Sequence, residues 1–178
     1  MLLESINKTY HNHNEDIQAL NNINLYIQEK GMIFIVGQSG CGKTSLLHII
    51  SGKDNDFTGH IERDGKIEVV EQDILLMESM KVIDNLLIVN NNRQLIDEWL
   101  EKFHMKEFVH QKVKKLSVGQ KKRIQIIRSL LVESDYLICD EPTASLDYEN
   151  AEIIMEILQT ISQDKSVIIV THEGALIE

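Results

Sequence analysis

Long apolar runs, cysteines and basic residues are all scarce in this sequence of 178 residues. The longest apolar runs, such as MIFIV at 32–36, are far shorter than the ~18 residues that suggest a membrane-spanning helix. The two cysteines, Cys41 and Cys139, fall in a glycine-rich loop and a predicted strand, which argues against a structural disulfide and favours a cytosolic chain. Basic residues number 18 against 28 acidic ones, and the net charge of −10 argues against nonspecific binding of nucleic acid.

Proline is rarer still, since Pro142 is the only one in the sequence. No stretch of the sequence has the composition of a linker. Apolar residues make up 43% and charged residues 26%, which is ordinary for a folded globular protein. The N-terminal stretch MLLESINKTY does not show the basic region and apolar core of a signal peptide, so none is expected. We therefore expect residues 1–178 to form one domain with a core of its own.

Alternating strand and helix patterns indicate the fold class. Three short apolar runs, at 32–36, 136–139 and 166–170, are typical of parallel strands that are covered on both faces. The stretch NINLYIQ at 22–28 alternates apolar and polar residues and predicts a half-exposed antiparallel strand. Apolar residues at helical spacing lie between the strands: Ile124, Ile127 and Leu131, then Ile154, Ile157 and Ile161. Strands that alternate with helices indicate an α/β architecture.

The sequence GQSGCGKTS at 37–45 lies between an apolar strand and an amphipathic helix, which is the context of a phosphate-binding loop. Its glycines let the backbone turn several N–H groups toward one anion, and the dipole of the following helix points to the same place. Lys43 adds a mobile positive charge, and the Thr44 hydroxyl is suited to Mg²⁺. A plain glycine-rich turn, the alternative, gives no reason for Lys43 and Thr44 to follow Gly42. The residues expected to contact the nucleotide here are Gly37, Gln38, Ser39, Gly40, Cys41, Gly42, Lys43, Thr44 and Ser45.

A second chemical motif follows the predicted strand YLIC, where Asp140 and Glu141 come next in the chain. Open α/β sheets bind ligands at the carboxyl ends of their strands, so both carboxylates are expected at a ligand site. Asp140 is suited to hold Mg²⁺, and Glu141 is suited to orient an attacking water. A strand-end turn with two solvated acids is the alternative, and the phosphate loop makes that alternative the weaker one.

The segment LSVGQ at 116–120 begins a predicted helix, with Ser117 as its N-cap. Together with Arg123, this segment resembles the signature sequence of ATP-binding-cassette (ABC) ATPases, and it stands ahead of the acidic strand as in that family. The resemblance extends in order over residues 2–173. The other residues that match the family pattern are Tyr10 as the aromatic that stacks on adenine, Gln72 as the Q-loop glutamine, Asp147 in the D-loop ASLD, and His172 as the switch histidine.

The resemblance implies a P-loop NTPase fold with a mainly parallel sheet core, a trimmed antiparallel β subdomain and a helical signature subdomain at about 73–131. It implies a single nucleotide-binding domain, residues 1–178, that is short at its C-terminus, since only EGALIE follows His172 where the family has further strands. We therefore expect the native chain to continue beyond Glu178, into membrane segments. The segment 29–52 also resembles the export branch that handles lipoproteins, macrolides and antimicrobial peptides.

The same resemblance implies an ATPase motor that binds ATP and Mg²⁺ and energises membrane transport, in the export direction, through ATP-driven dimerisation. The implied catalytic residues are Glu141, His172 and Gln72. The implied Mg²⁺ ligands are Thr44, Gln72 and Asp140. The residues implied to contact the nucleotide of a second cassette, in a head-to-tail dimer, are Ser117, Gly119, Gln120 and Asp147. A transmembrane permease is the other implied partner, and it would hold the chain on the cytoplasmic face of the cell membrane.

Two other functions share part of this pattern. A soluble ABC-type ATPase, acting in DNA repair, chromosome organisation or translation, has the same motifs. The repair ATPases insert a long coiled coil between the Q-loop and the signature, but only 43 residues separate Gln72 from Leu116 here. The translation ATPases carry two cassettes in one chain, and this sequence shows one. A small-molecule P-loop kinase would not have LSVGQ and ASLD. Val118 departs from the commonest signature, which has glycine there, and its branched side chain would limit close approach to a phosphate.

Three features also have simpler interpretations than the roles that the resemblance implies. Tyr10 would be an ordinary residue that packs on the surface. His172 would only mark the end of a strand. The basic residues around the signature are expected to form a solvated face that balances an acidic chain, with no role in nucleic-acid binding. They are Lys112, Lys114, Lys115, Lys121, Lys122, Arg123 and Arg128.

Overall fold

The computed structural model describes residues 1–11 and 15–172, which form two β-sheets and five α-helices. The strands are β1 (Leu2–His11), β2 (Asp16–Tyr26), β3 (Gly31–Val36), β4 (Thr58–Glu62), β5 (Ile67–Val70), β6 (Tyr136–Asp140) and β7 (Ser166–Thr171). The helices are α1 (Lys43–Ile50), α2 (Val82–Leu87), α3 (Arg93–Lys102), α4 (Val118–Leu130) and α5 (Tyr148–Ile161). Single 3₁₀ turns lie at Lys106–Phe108 and Val113–Lys115. The expectation about closing strands concerns residues 173–178, which lie outside the described part.

The larger sheet is parallel throughout, with the strand order β3-β7-β6-β5. β7 lies between β3 and β6, and all of its residues are buried. β6 is buried as far as Cys139, so the prediction from apolar runs is confirmed for both strands. β3 is also parallel and is covered on both faces, with Met32 and Phe34 against one core and Ile33 and Ile35 against the other, but less completely: its residues are half-buried and Val36 is 42% exposed. In the described sheet β3 pairs with β7 alone, and an edge strand exposes more of its surface than a central one.

The smaller sheet is antiparallel, with the strand order β2-β1-β4. The predicted half-exposed strand is confirmed, since β2 pairs antiparallel with β1 and mixes exposed and buried residues up to Tyr26. Leu3 and Ile6 of β1 are fully buried, and they share a core with Leu47 of α1 and Ile138 of β6. This sheet therefore covers α1 and one face of the parallel sheet.

A second core lies on the opposite face of the parallel sheet. Successive side chains of a strand point to opposite faces, and Leu137 and Cys139 pack in this core whereas Ile138 packs in the first. Burying one large apolar side chain stabilises the fold by about 1.5–3 kcal/mol. Burial of such side chains in this core holds the helices against the sheet. Of the residues predicted from helical spacing, Ile157 is partly buried and packs against this core, and the others are buried in it: Ile124, Ile127, Leu131, Ile154 and Ile161. Within residues 1–11 and 15–172, no helix combines the length and the apolar composition needed to cross a bilayer.

Candidate active site

The phosphate loop joins β3 to α1, and one of its glycines is required by a close backbone contact. Gly42 is the N-cap of α1 and has a φ of +101°. A Cβ on Gly42 would lie 2.3 Å from the carbonyl oxygen of Ala19 in β2. A Cβ on Gly37 would lie 2.5 Å from Sγ of Cys41, whose side chain could rotate away. Only glycine at position 42 therefore allows the loop to pack this tightly against β2.

The first turn of α1 presents its N–H groups toward the loop. A helix leaves its first four N–H groups without partners inside the helix. Here Gly42 supplies no side-chain cap, and no acidic residue lies in the first turn. The N–H groups and the positive end of the helix dipole therefore favour an anion at this position.

Lys43 lies folded back over the same loop. Its Nζ donates to the carbonyl oxygens of Gly37 at 2.7 Å and of Gln38 at 3.0 Å. The carbonyl of Gln38 also accepts a long hydrogen bond, 3.3 Å, from the N–H of Cys41. Both carbonyls are neutral, so an anion in the loop would form a stronger, charge-assisted bond with the ammonium group.

A cavity of about 330 Å³ lies in front of the loop and gathers most of the predicted site residues. The loop and α1 contribute Ser39, Gly40, Gly42, Lys43, Thr44 and Ser45. Distant parts of the chain contribute Tyr10, Gln72, Asp140 and Glu141, together with residues 17–19 of β2. The predicted residues that do not line it are Gly37, Gln38, Cys41, Ser117, Gly119, Gln120, Asp147 and His172.

Tyr10 stands at the rim of the cavity, 38% exposed, and two contacts orient its ring. Its Oη donates to Oγ of Ser45 at 3.1 Å. The Nζ of Lys8 lies 4.8 Å from the ring centroid, and Lys8 is itself paired with Asp54 and Asp56. The aromatic ring therefore lies beside the phosphate loop rather than on an unrelated surface.

Asp140 ends β6 at the cavity and is half-buried. Burial raises the pKa of its carboxyl, and the neighbouring carboxylates of Glu141 and Glu71 raise that pKa further. The positive charges of Lys122 and Lys43 act in the opposite direction. A cation bound beside Asp140 would stabilise its ionised carboxylate against the effects of burial and of the two neighbouring carboxylates.

Glu141 has a φ of +46°, in the left-handed region that residues with side chains adopt infrequently. Its N–H donates to the carbonyl oxygen of Val170 at 2.8 Å, which holds the turn. Its carboxylate accepts from Oγ1 of Thr171 and from the N–H of His172, both at 3.0 Å. Nδ1 of His172 lies 2.7 Å from Oε1 of Glu141, within hydrogen-bond distance. The fold thus brings His172 to Glu141, although His172 does not line the cavity.

Three oxygen donors that suit Mg²⁺ line the cavity: the hydroxyl of Thr44, the carboxylate of Asp140 and the side-chain amide of Gln72. Proteins hold Mg²⁺ mostly with one or two carboxylates and with substrate phosphates, not with a complete protein cage. In the part of the chain that the structure describes, no three His, Cys, Asp or Glu side chains form a group able to hold a metal. The donor set therefore fits a Mg²⁺ ion that arrives with a phosphate ligand.

The signature residues lie apart from the cavity and bond to each other. The predicted N-cap is confirmed: Oγ of Ser117 accepts from the N–H of Gln120 at 3.2 Å. Oε1 of Gln120 accepts in return from the N–H of Ser117 at 2.9 Å, which completes a capping box. A Cβ on Gly119 would lie 2.6 Å from Oδ1 of Asn150, and Val118 is 52% exposed.

Asp147 caps α5 and connects the D-loop to the signature helix. Its Oδ1 accepts from the N–H of Asn150 at 2.8 Å, and this bond holds the pKa of the Asp147 carboxyl below its usual value. Oδ1 of Asn150 accepts from Nη2 of Arg123 in α4 at 3.2 Å. The two segments that the resemblance assigns to a partner's nucleotide are thus bonded together.

The basic residues around the signature do not form one solvated face, so that interpretation is wrong. Lys112, Lys114 and Lys115 are exposed, and Lys121, Arg123 and Arg128 are half-buried. Lys122 is only 4% exposed. It lies on the stripe of α4 that also carries the buried residues Gly119 and Ile126, so helical spacing places it inside. That spacing is the signal that would have identified it.

Lys122 and Gln125 are the site-related residues that the motifs did not reveal. Nζ of Lys122 donates to the carbonyl oxygens of Glu71 at 2.8 Å and of Gln72 at 3.1 Å. Nε2 of Gln125 donates to the carbonyl oxygens of Glu71 at 3.1 Å and of Asp73 at 2.8 Å. Both side chains therefore bind the backbone on which Gln72 stands.

A larger cavity, of about 470 Å³, lies at the amino ends of the parallel strands, among Glu29, Asp64, Asp135 and Lys165. No residue of the phosphate loop, of the signature or of the Asp140–Glu141 pair lines it. Ligands of α/β sheets bind at the opposite, carboxyl ends of the strands. The cavity at the phosphate loop is therefore the candidate active site.

Comparison with known proteins points to a single family. The model of the ABC transporter family matches residues 20–144. An ABC transporter ATP-binding protein of Mycoplasma genitalium is 34% identical, over 97% of this chain and 65% of its own length. The lipoprotein-releasing system ATP-binding protein LolD of Buchnera aphidicola is 29% identical, over 97% of this chain and 88% of its own. The aliphatic sulfonates import ATP-binding protein SsuB of Bacillus cereus is 31% identical, over 96% of this chain and 74% of its own length. This chain thus spans about two thirds of the length of the Mycoplasma protein.

A solved structure agrees with these relatives. An ATP-binding cassette, determined as a dimer in a post-hydrolysis state with bound ADP and Pi, is similar with a TM-score of 0.82 and 29% identity. The similarity covers 98% of this chain and 89% of that one. The family match takes in the phosphate loop, the signature and the acidic strand. The chain therefore belongs to the ABC transporter family, in which it is an ATP-binding cassette.

Proposed function

We propose that this cassette binds ATP with Mg²⁺, hydrolyses it and thereby drives membrane transport as one half of a dimer. The observation that supports the proposal best is the single cavity that gathers Lys43, Thr44, Gln72, Asp140 and Glu141. Phosphate-binding and acidic groups from separate parts of the chain meet there. Phosphoryl transfer needs mainly positioning and charge stabilisation, which these groups supply.

The nucleotide is proposed to lie along the loop with its adenine on the ring of Tyr10. Lys43 would exchange the carbonyls of Gly37 and Gln38 for oxygens of the β and γ phosphates. Hydrogen bonds to charged acceptors are roughly twice as strong as neutral ones, which favours the exchange. The remaining phosphate contacts are assigned to the loop N–H groups of Ser39, Gly40, Cys41 and Gly42, with Ser45 beside them.

Thr44, Asp140 and Gln72 are the residues that would hold Mg²⁺. A bound Mg²⁺ would neutralise charge on the β and γ phosphate oxygens. Thr44 stands in the first turn of α1 and Asp140 ends β6, so secondary structure fixes both. Gln72 stands on irregular chain after β5, so its position depends on side-chain contacts.

Glu141 is proposed to polarise the attacking water. Its carboxylate is held by Thr171 and His172, so its orientation is set before the nucleotide binds. The side chain of His172 is 52% exposed, which leaves its ring accessible to the γ-phosphate, the contact we assign to it.

Ser117, Gly119, Gln120 and Asp147 are proposed to contact the nucleotide of a second copy, because none of them lines the cavity of its own chain. Oγ of Ser117 accepts the capping bond from Gln120, so its O–H remains able to donate to a phosphate. The similar cassette with ADP and Pi is a dimer. A head-to-tail pair would complete two such sites.

A transmembrane permease is the second proposed partner, on a separate chain or on a continuation of this one. The segment DILLMESMKVIDNL at 73–86 resembles the part of the family that contacts membrane domains, and within it Leu75 and Met77 are 57% and 50% exposed. The permease would hold the cassette on the cytoplasmic face of the membrane. We propose export, from the likeness of residues 29–52 to the lipoprotein branch and from the similarity to LolD. Similarity to the importer SsuB makes the identity of the permease the deciding observation.

Two substitutions test the hydrolysis proposal, with Glu133→Gln as a matched control whose side chain is 94% exposed. Glu141→Gln should keep ATP affinity and lose about 100-fold or more in turnover, since the amide cannot take a proton from water. Lys43→Ala should lose most ATP affinity while its melting temperature stays unchanged, because this side chain is not in a core. Fluorescent-nucleotide titration and phosphate release measure both effects.

Two results would contradict the proposal. Equal turnover by Glu141→Gln and Glu133→Gln would remove the role given to Glu141. Purification of the native chain from cells without any membrane protein, after mild detergent extraction, would favour a soluble ABC-type ATPase instead of a transporter.

A further inference from the structure

One helix holds every carbonyl oxygen of the segment 71–73. Lys122 binds those of Glu71 and Gln72, and Gln125 binds those of Glu71 and Asp73. The four hydrogen bonds are 2.8 to 3.1 Å long. The segment is therefore attached to α4 through its backbone, whatever its own side chains do.

The two donors are buried where an unpaired polar group is costly. Lys122 is 4% exposed and Gln125 is 2% exposed. A buried charge is rare unless it is hydrogen-bonded, and removing its partners leaves a large desolvation penalty. Lys121, the next residue, makes a different contact: its Nζ pairs with the exposed carboxylate of Glu78.

The segment 71–73 follows β5 without regular structure, yet its Gln72 lines the cavity beside Asp140. Nothing in the secondary structure fixes it as α1 fixes Thr44. The hydrogen bonds from Lys122 and Gln125 of α4 hold the backbone of this segment. They do not involve the side chain of Gln72, which can therefore face the cavity. The same helix begins at the capping box of Ser117, about one turn before Lys122.

We propose that Lys122 and Gln125 are positioning residues, which hold the backbone of Glu71–Asp73 and so place Gln72 in the active site. The inference rests on the proposed role of Gln72. It makes α4 a direct mechanical connection between the signature at its start and the site of its own chain. A displacement of α4 when a partner's nucleotide binds at Ser117 would then move Gln72.

The test compares Lys122→Met with Lys121→Met, which removes the same charge from the neighbouring position. Hydrogen–deuterium exchange of the nucleotide-free protein reports on the amides of 71–73 without any activity. We expect their exchange to be faster by about tenfold to a hundredfold in Lys122→Met, the factor that corresponds to leaving buried carbonyl groups without a hydrogen-bond partner. In Lys121→Met it should stay as in wild type. ATP turnover should fall through kcat, with KM changed less, because the phosphate loop is intact.

Lys122→Gln is the conservative variant, since its amide donates a hydrogen bond without the charge. It should restore slow exchange and most of kcat. If Lys122→Gln is as impaired as Lys122→Met, the lost charge and not the bond is responsible, and the positioning role is overturned. Equal exchange in Lys122→Met and Lys121→Met would overturn it as well.

Gln125→Leu gives an independent answer where Lys122→Met does not fold. This variant should also make the amides of residues 71–73 exchange faster, and exchange at the wild-type rate would contradict the proposal. If the wild-type cassette does not hydrolyse ATP, the proposed function fails, but the exchange comparison still decides whether α4 holds this segment.

Discussion

At the scale of single residues, burial decides what a side chain can do, and the two cysteines show it. Cys139 on β6 is fully buried, and burial raises the pKa of its thiol to about 12. Cys41 is exposed in the phosphate loop. The thiolate is the reactive form, so burial keeps the Cys139 thiol protonated and unreactive near neutral pH.

We expect a thiol reagent such as DTNB at pH 8 to label only Cys41 in the native protein. Saturating ATP should slow this reaction, because the phosphates would lie against the loop. The absorbance of the released thiolate counts labelled thiols per chain, and denatured protein should give both. Cys41→Ser is the control that should abolish the native reaction. Fast native labelling in that variant would mean that Cys139 is not protected by burial.

Gly42 and Gly52 both have positive φ, +101° and +77°, but only Gly42 meets another part of the chain. A Cβ on Gly42 would lie 2.3 Å from the carbonyl oxygen of Ala19, whereas a Cβ on Gly52 would meet no described atom within 4 Å. We expect Gly52→Ala to lower the free energy of unfolding by about 1–2 kcal/mol, the cost of a left-handed residue with a side chain. Gly42→Ala should cost more and should weaken nucleotide binding. Urea unfolding and nucleotide titration of both variants measure this, and equal costs would show that the loop relaxes around the added methyl group.

At the scale of elements, α4 has three structural roles. Its start is capped by Ser117 and Gln120, its buried stripe packs in the second core, and Lys122 and Gln125 bind the segment beside the active site. The cap follows from the sequence because it involves residues three positions apart. The contact with the 71–73 segment joins residues about fifty positions apart, which no local pattern records.

Two substitutions at Ser117 separate its role as a cap from its proposed role in dimerisation. Ser117→Ala should lower the free energy of unfolding by about 1 kcal/mol, because the N–H of Gln120 loses its acceptor. Ser117→Asp keeps a capping carboxylate and should keep wild-type stability, but its charge would repel a partner's phosphate. Urea unfolding measures the first effect, and sedimentation in Mg-ATP, in the Glu141→Gln background, measures the second. Undiminished association of Ser117→Asp would show that the signature does not contact the partner's nucleotide.

At the scale of the whole molecule, net charge opposes the proposed association of two cassettes. Each chain carries −10, so two copies should repel unless Mg-ATP supplies contacts between them. We expect the isolated cassette to be monomeric without nucleotide and the Glu141→Gln variant to dimerise in Mg-ATP. Higher salt should strengthen the dimer, because it screens repulsion between surface charges.

Sedimentation of Glu141→Gln with and without ATP tests this expectation, and specific activity of the wild type should rise with chain concentration. The matched control is Glu133→Gln, which removes the same charge at an exposed position. A monomer in saturating Mg-ATP, together with constant specific activity, would mean that one chain forms a complete site.

The sequence by itself determined the features that depend on neighbouring residues. The order of Gly42, Lys43 and Thr44 predicts an anion site, since the loop and the first turn of α1 are local structures. The apolar runs predict β6 and β7, and Ser117 predicts the start of α4, for the same reason. The family resemblance added the order of the motifs, which also lies along the chain.

Only the tertiary structure decided which distant residues meet. It placed Tyr10, Gln72 and Asp140 in one cavity, and it paired Glu141 with His172, because sheet order and loop path are set by packing of the whole domain. It also decided the partners of Lys122: helical spacing indicates that this residue is buried, but only the fold brings it to the carbonyl oxygens of Glu71 and Gln72. The physical reason is common to these cases. Burial and contact depend on what the rest of the chain brings to a position, whereas propensity and spacing depend only on the residues nearby.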